Sequence, residues 1–245
     1  MTIWMQYSLF GVFCGAASAS PSHALQDVGQ RLEGALRVVI VGSPGIDRRA
    51  TLFWEQQLEQ AGVDAWLLPV DPGADTESDL VDRIRELDVL LGAGEYGILA
   101  HGYAGRLVAE ANPQARKMAL VGAPLGPQLA PTIAQVPEDA VVQDGLPWPE
   151  DLTGRLPSAS FSAEIARLYV ELGDRTAVGD PGSEVFLVAS GGDVVAPPEC
   201  VRLPSVQWTD RQFWRADAFR FHLLSHADLL SDEAVIQKIG RFFRE

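Results

Sequence analysis

The sequence predicts an α/β fold with a mainly parallel sheet flanked by helices, and three observations carry that prediction. Short, near-continuous apolar runs such as LRVVIVG (36–42) and VFLVAS (185–190) read as strands buried on both faces. Between the runs lie longer segments whose apolar residues recur at helical spacing, as Leu80, Ile84, Leu87 and Leu91 do. Glycine, proline and asparagine fall at the joints, among them Gly62 and Asn112-Pro113. Strand and helix thus alternate, which calls for crossovers covering both faces of the sheet and a ligand site beyond the carboxyl ends of the strands.

Taken in order, LRVVIVG is the first strand, and a helix over 49–61 follows with Leu52, Phe53, Leu58 and Ala61 on one side until Gly62 ends it. DAWLLPV (64–70) is the second strand, and after the DPGAD turn a helix spans 76–91. The third strand, GILAH (97–101), runs into a helix over 103–111 that Asn112-Pro113 closes. KMALVG (117–122) is the fourth strand. Then Pro124, Pro127, Pro131, Pro137, Pro147, Pro149 and Pro157 break the pattern, and 123–160 reads as a lid or cap insertion, as a meandering surface loop, or as an interface for a protein partner. The embedded leucines, valines and Trp148 favour something that packs over a site. A helix over 161–172, the strand VFLVAS, a segment around 204–221 and a last helix over 232–243 complete the chain.

A chain of 245 residues with 47% hydrophobic residues can bury a sizeable core, and 32–245 reads as one domain. The net charge of -14 repels phosphate backbones and anionic lipid heads, which excludes nucleic acid as a partner. The first basic residue is Arg31, and residues 1–24 form an apolar run followed by small residues. Ala17-Ser18-Ala19 and Ser22-His23-Ala24 both fit a signal cleavage site, but the basic start of a signal is absent. Two readings stand: an exported protein, periplasmic or extracellular, or a cytoplasmic one whose first segment is a short amphipathic helix. Cys14 and Cys200 supply no disulfide framework. His23, His101, His222 and His226 are not spaced as a metal-ligand set, and VGSPG (41–45) lacks both the phosphate-loop lysine and the dinucleotide pattern, so no metal and no cofactor is expected.

Three places in this layout resemble the working parts of an α/β-hydrolase. Residues 100–104 read AHGYA, between a strand and a helix, where that superfamily carries its G-x-S-x-G nucleophile elbow. Ala100 and Ala104 replace the flanking glycines, and Gly102 stands where the resemblance implies a serine. GGDVVAPPE puts Asp193 just past a strand, as the family places its acid, and LLSHADLLSD puts His226 before the final helix, as lipase-like and esterase-like members place their histidine. VGSPG is similar to the loop after the first strand that supplies part of the oxyanion hole, with Val41 in place of the commoner histidine. The resemblance covers roughly 36–245 and implies the α/β-hydrolase fold, an Asp193–His226 pair, a nucleophile position at Gly102, and an oxyanion hole from Ser43 and Tyr103.

The chemistry needs these residue types because a hydroxyl is a poor nucleophile until a neutral imidazole takes its proton, and a carboxylate holds that imidazole in the right tautomer. Asp193 and His226 meet that need, while Gly102 offers nothing for them to activate. Two functional readings follow. One is a non-catalytic or severely impaired hydrolase that binds a small acyl, ester-type or apolar ligand, or a protein partner. The other is an active ester or acyl hydrolase, in which Gly102 is an engineered or sequence variant of the serine or water serves as nucleophile. Ser43 and Ser225 lie nearby, but neither stands at the elbow tip.

Overall fold

The apolar runs form the middle of a six-stranded sheet in the computed structural model, which describes residues 36–43, 48–68, 76–126, 141–143, 160–162, 178–193, 196–202, 204–218, 224, 226 and 228–245. The chain divides into two compact units, Met1–Glu33 and Gly34–Glu245, and every described residue belongs to the second. The expected segment 1–24, most of 123–160, His23, His222 and Ser225 lie outside the described residues.

The strands are β1 (Arg37–Val41), β2 (Asp64–Leu68), β3 (Tyr96–His101), β4 (Lys117–Val121), β7 (Glu184–Ala189) and β8 (Arg211–Arg215), in the order β2-β1-β3-β4-β7-β8. Every pairing is parallel: Val39 lies opposite Trp66 on one side and Ile98 on the other, and Leu120 lies opposite Ala100 and Leu187. Parallel strands need crossovers that cover both faces, which is why the central strands carry apolar residues without alternation. All six residues of β3 are buried, and Ile98 and Leu99 each contribute about 1.5–3 kcal/mol by leaving water.

Between the strands run α1 (Arg48–Gln60), α2 (Glu77–Leu87), α3 (Gly102–Ala111) and a short α4 (Pro198–Arg202), and after the last strand come α5 (Asp228–Ser231) and α6 (Glu233–Arg244). They fall into two sets: α1 packs with α5 and α6, and α2 packs with α3. Local chemistry fixes their ends. Thr76 and Asp79 form a reciprocal capping box on α2, with Thr76 Oγ1 accepting from the Asp79 N–H at 3.2 Å and the Thr76 N–H donating to Asp79 Oδ2 at 2.8 Å. Asn112-Pro113 closes α3 as expected, and Asn112 does so in the left-handed conformation, φ 50°, which asparagine tolerates at a helix end. Asp232 caps α6 by accepting the Val235 N–H at 3.0 Å, and Lys117 Nζ donates to the Phe242 carbonyl at its other end, at 2.8 Å. Among the described residues no helix is long and apolar enough to cross a membrane.

Three elements differ from the sequence expectation. The 76–91 helix changes pitch at Asp88 and finishes as a π-helical turn, Asp88–Gly92, where Asp88 Oδ1 accepts from Tyr96 Oη at 2.8 Å and from the Gln114 N–H at 2.9 Å. The first two residues of the helix expected over 161–172 belong instead to β6 (Ser160–Ser162), which pairs antiparallel with β5 (Val141–Gln143), while 163–177 lie outside the described residues. The segment 204–221, left without an element, contains β8, an edge strand whose RQFWR pattern is half-exposed and so lacks the apolar run that marks the others.

Candidate active site

Strand order places the site. β1 leads outward to β2, whereas β3 and β4 build the other half of the sheet, so the connections diverge between β1 and β3. A crevice opens at such a switch point, beyond the carboxyl ends of the two strands. Ser43 lies two residues past β1, and Gly102 is the first residue past β3.

The two are joined directly. Ser43 Oγ donates to the His101 carbonyl and accepts from the Ala104 N–H at 2.9 Å. That N–H is one of the unsatisfied donors at the start of α3, and His101, the N-cap residue, makes no side-chain cap of its own. Ser43 therefore caps the helix from a different strand. Its proton is directed at a carbonyl, so the side chain is occupied as a bridge and the role left to Ser43 in an oxyanion hole is that of its backbone N–H. Tyr103 is similar: its Oη donates to Glu77 Oε2 at 2.8 Å, which commits the phenol to α2 and leaves the backbone N–H at the helix start as the group suited to an anion.

Gly102 adopts φ 56°, the left-handed region that a side chain makes costly, and α3 starts there. This backbone is what a sharp strand-to-helix turn requires, and glycine provides it without strain.

Asp193 and His226 come together from separate loops. Oδ2 of Asp193 and Nδ1 of His226 are 2.7 Å apart, and both residues are buried. A carboxylate only accepts, so the hydrogen sits on Nδ1 and Nε2 is the basic nitrogen of the ring. The Ala196 N–H donates to the other carboxylate oxygen at 2.8 Å, fixing the acid at both ends. Gly122, just past β4 with φ 54°, lies under the pair: a Cβ there would stand 2.9 Å from Asp193 Oδ2 and 3.1 Å from His226 Nδ1, so the pair needs a bare backbone at this point.

A second buried carboxylate ties the two loops together. Asp217 Oδ2 accepts from Ser190 Oγ at 2.7 Å and from the Gly191 N–H at 2.9 Å, and Oδ1 pairs with Arg215 Nε at 2.9 Å. Ser190 Oγ shares its one hydrogen between that carboxylate and the Leu224 carbonyl, two residues before His226, and accepts from the Gly192 N–H at 3.2 Å. Burial alone would raise the Asp217 carboxyl, but the bonds from Ser190, Gly191 and Arg215 outweigh it and hold the group below the ordinary carboxylate value. None of this network was read from the sequence: Ser190 counts there only as the end of the strand VFLVAS, and Asp217 falls in the segment 204–221, which has no motif. The bridging by Ser43 and the clearance at Gly122 were also missed. A glycine immediately after a buried strand was the one available signal for Gly122.

His101 completes the centre. Its ring lies 4.1 Å from that of His226, centroid to centroid, and 6.0 Å edge-on from Trp54, and its Nε2 is 3.0 Å from the His226 carbonyl oxygen. The loop that carries His226 therefore rests against the residue preceding Gly102. Chemically, the arrangement is a buried carboxylate–imidazole pair beside a strand-to-helix turn, with no hydroxyl at the turn's tip.

No protein-family model and no curated protein matches the sequence. Solved structures do match in fold. The esterase domain of a Rhodothermus marinus protein has a TM-score of 0.52 at 16% identity, over 87% of this chain and 89% of that one. RedJ, the thioesterase of the prodiginine biosynthetic pathway in Streptomyces coelicolor, has a TM-score of 0.53 at 16% identity, over 85% and 91%. Est1E from Butyrivibrio proteoclasticus, solved with ferulic acid, has a TM-score of 0.54 at 13% identity, over 86% and 90%. The six-stranded parallel sheet, its flanking helices and these neighbours together establish that the chain has the α/β-hydrolase fold.

Proposed function

We propose that the protein is a lipase-like or esterase-like α/β-hydrolase without a working nucleophile, retained to bind a small acyl, ester-type or apolar ligand or a protein partner. The observation that carries this reading is the buried Asp193–His226 contact at 2.7 Å beside a turn whose tip is Gly102. Removing the nucleophile of a serine hydrolase costs about 10⁶ in turnover, and what remains is about 10³–10⁴ over water. Ser43 does not make up the loss, since its hydroxyl already bridges His101 and Ala104.

Purified protein assayed with p-nitrophenyl acetate and butyrate tests the reading. The wild-type chain is expected to show no burst of acyl-enzyme, and Gly102→Ser is expected to gain several orders of magnitude in kcat/KM. A burst from the wild-type chain would overturn the reading. An inactive, folded Gly102→Ser variant would instead show that the surroundings no longer suit acyl transfer.

The intact pair also favours a second reading, slow hydrolysis in which His226 acts as general base on a water molecule. That route predicts steady wild-type turnover without a burst, abolished by His226→Ala.

A further inference from the structure

His101 makes a contact that a residue filling space behind a turn does not need. It is the last residue of β3, 2% exposed, and its Nε2 meets the backbone carbonyl of a residue far along the chain, the same His226 that pairs with Asp193. A carbonyl oxygen accepts only, so His101 carries its hydrogen on Nε2. Nδ1 then keeps its lone pair and, among the described residues, has no hydrogen-bond partner.

The loop bearing His226 is held at two carbonyls. Ser190 Oγ reaches the one on Leu224, and His101 reaches the one on His226 itself. The first link comes from the residue just past β7, in the loop that leads to Asp193, and the second from the residue before Gly102. Only the second ties the base to the elbow.

We propose that His101 is a positioning residue for His226: its neutral Nε2–H holds the carbonyl of the base residue, so that the turn at Gly102 and the imidazole keep a fixed separation. The inference rests on the reading of Asp193 and His226 as an acid–base pair. Charge supports the assignment. Burial first, and the neighbouring His226 second, push the His101 imidazole well below its ordinary value, against the smaller opposite effect of the bond to the His226 carbonyl. Two imidazolium rings with centroids 4.1 Å apart in a dry interior would repel strongly, so His101 stays neutral and His226, with Asp193 on its far edge, is the ring left to accept a proton.

Long-range proton–nitrogen spectra of the full chain, labelled at histidine nitrogens and followed from pH 5 to 8, test this. In the wild-type protein His101, assigned by its loss on substitution, is expected to carry its hydrogen on Nε2 and not to titrate. His226, assigned with His226→Ala, is expected to carry its hydrogen on Nδ1. His101→Gln keeps a side-chain N–H donor and is expected to leave the His226 tautomer and titration unchanged. His101→Leu removes the donor and is expected to weaken or abolish the Nδ1–H signal and to move the His226 titration by about half a pH unit or more.

A His101 that holds its hydrogen on Nδ1, or that titrates near its ordinary value, overturns the proposal. So does a folded His101→Leu protein whose His226 signals match the wild type. Should His101→Leu fail to fold, the wild-type tautomer and the glutamine variant decide. In the Gly102→Ser background, His101→Leu is expected to lower kcat about tenfold or more with little change in KM, and His101→Gln to restore it. A Gly102→Ser protein without esterase activity counts against the functional reading alone, because the spectra judge His101 independently of turnover.

Discussion

If residue 102 is the nucleophile position, as proposed, folding and catalysis make opposite demands there. A serine at φ 56° costs about 1–2 kcal/mol of backbone strain, which a hydrolase tolerates because the exposed hydroxyl is worth more to turnover than to stability. Glycine carries neither the strain nor a hydroxyl. One residue away, the buried His101 makes stability depend on pH. Below its ordinary value of 6.5 the unfolded chain takes up a proton that the buried ring refuses, so the unfolded state binds more protons and acid favours unfolding. The contribution is full above about pH 6.5 and is lost progressively as pH falls from there toward the depressed folded value. Urea midpoints measured from pH 7.5 to 5 should fall more steeply for wild type than for His101→Gln, and parallel curves would contradict the assignment. Asp193, His226 and Gly102 were legible in the sequence because each lies in a local motif at a strand or helix end. The bonds of His101, Ser43 and Ser190 were not, since each joins segments far apart in the chain and leaves no periodicity or motif to read.

At the scale of elements, α6 shows how local chemistry supports the site from a distance. It buries Val235, Ile236, Ile239, Phe242 and Phe243, and its cap, Asp232, lies six residues after His226. Replacing Asp232 with alanine is expected to cost about 1 kcal/mol, read as a lower urea midpoint with an unchanged slope. No measurable loss would mean that the cap is redundant with packing. The same logic explains which elements the sequence revealed. Strands buried on both faces declare themselves as apolar runs, and helices buried on one side declare themselves by spacing. β8 is paired on one edge only and carries Arg211, Gln212 and Arg215 on a half-exposed surface, so it shows neither signal. The π-helical turn was hidden for another reason: it accompanies the Asp88 carboxylate's bonds to Tyr96 and Gln114, tertiary contacts that no helical pattern records.

For the molecule as a whole, the sheet does what a parallel α/β layout allows: it brings the ends of β1, β3, β4 and β7 and the loop before α5 to one side, where Ser43, Gly102, Gly122, Asp193 and His226 each find a place. Under the proposed reading, the architecture of an acyl-transfer site and the capacity for acyl transfer separate at one position, Gly102. Intact-mass measurement after incubation with a fluorophosphonate, which reacts with activated serine hydroxyls, addresses that separation most directly. The account predicts a wild-type chain that keeps its unmodified mass and a Gly102→Ser chain that gains a single phosphonyl group at residue 102. A phosphonyl adduct on the wild-type chain, at Ser43 or at any other residue of the crevice, would contradict it.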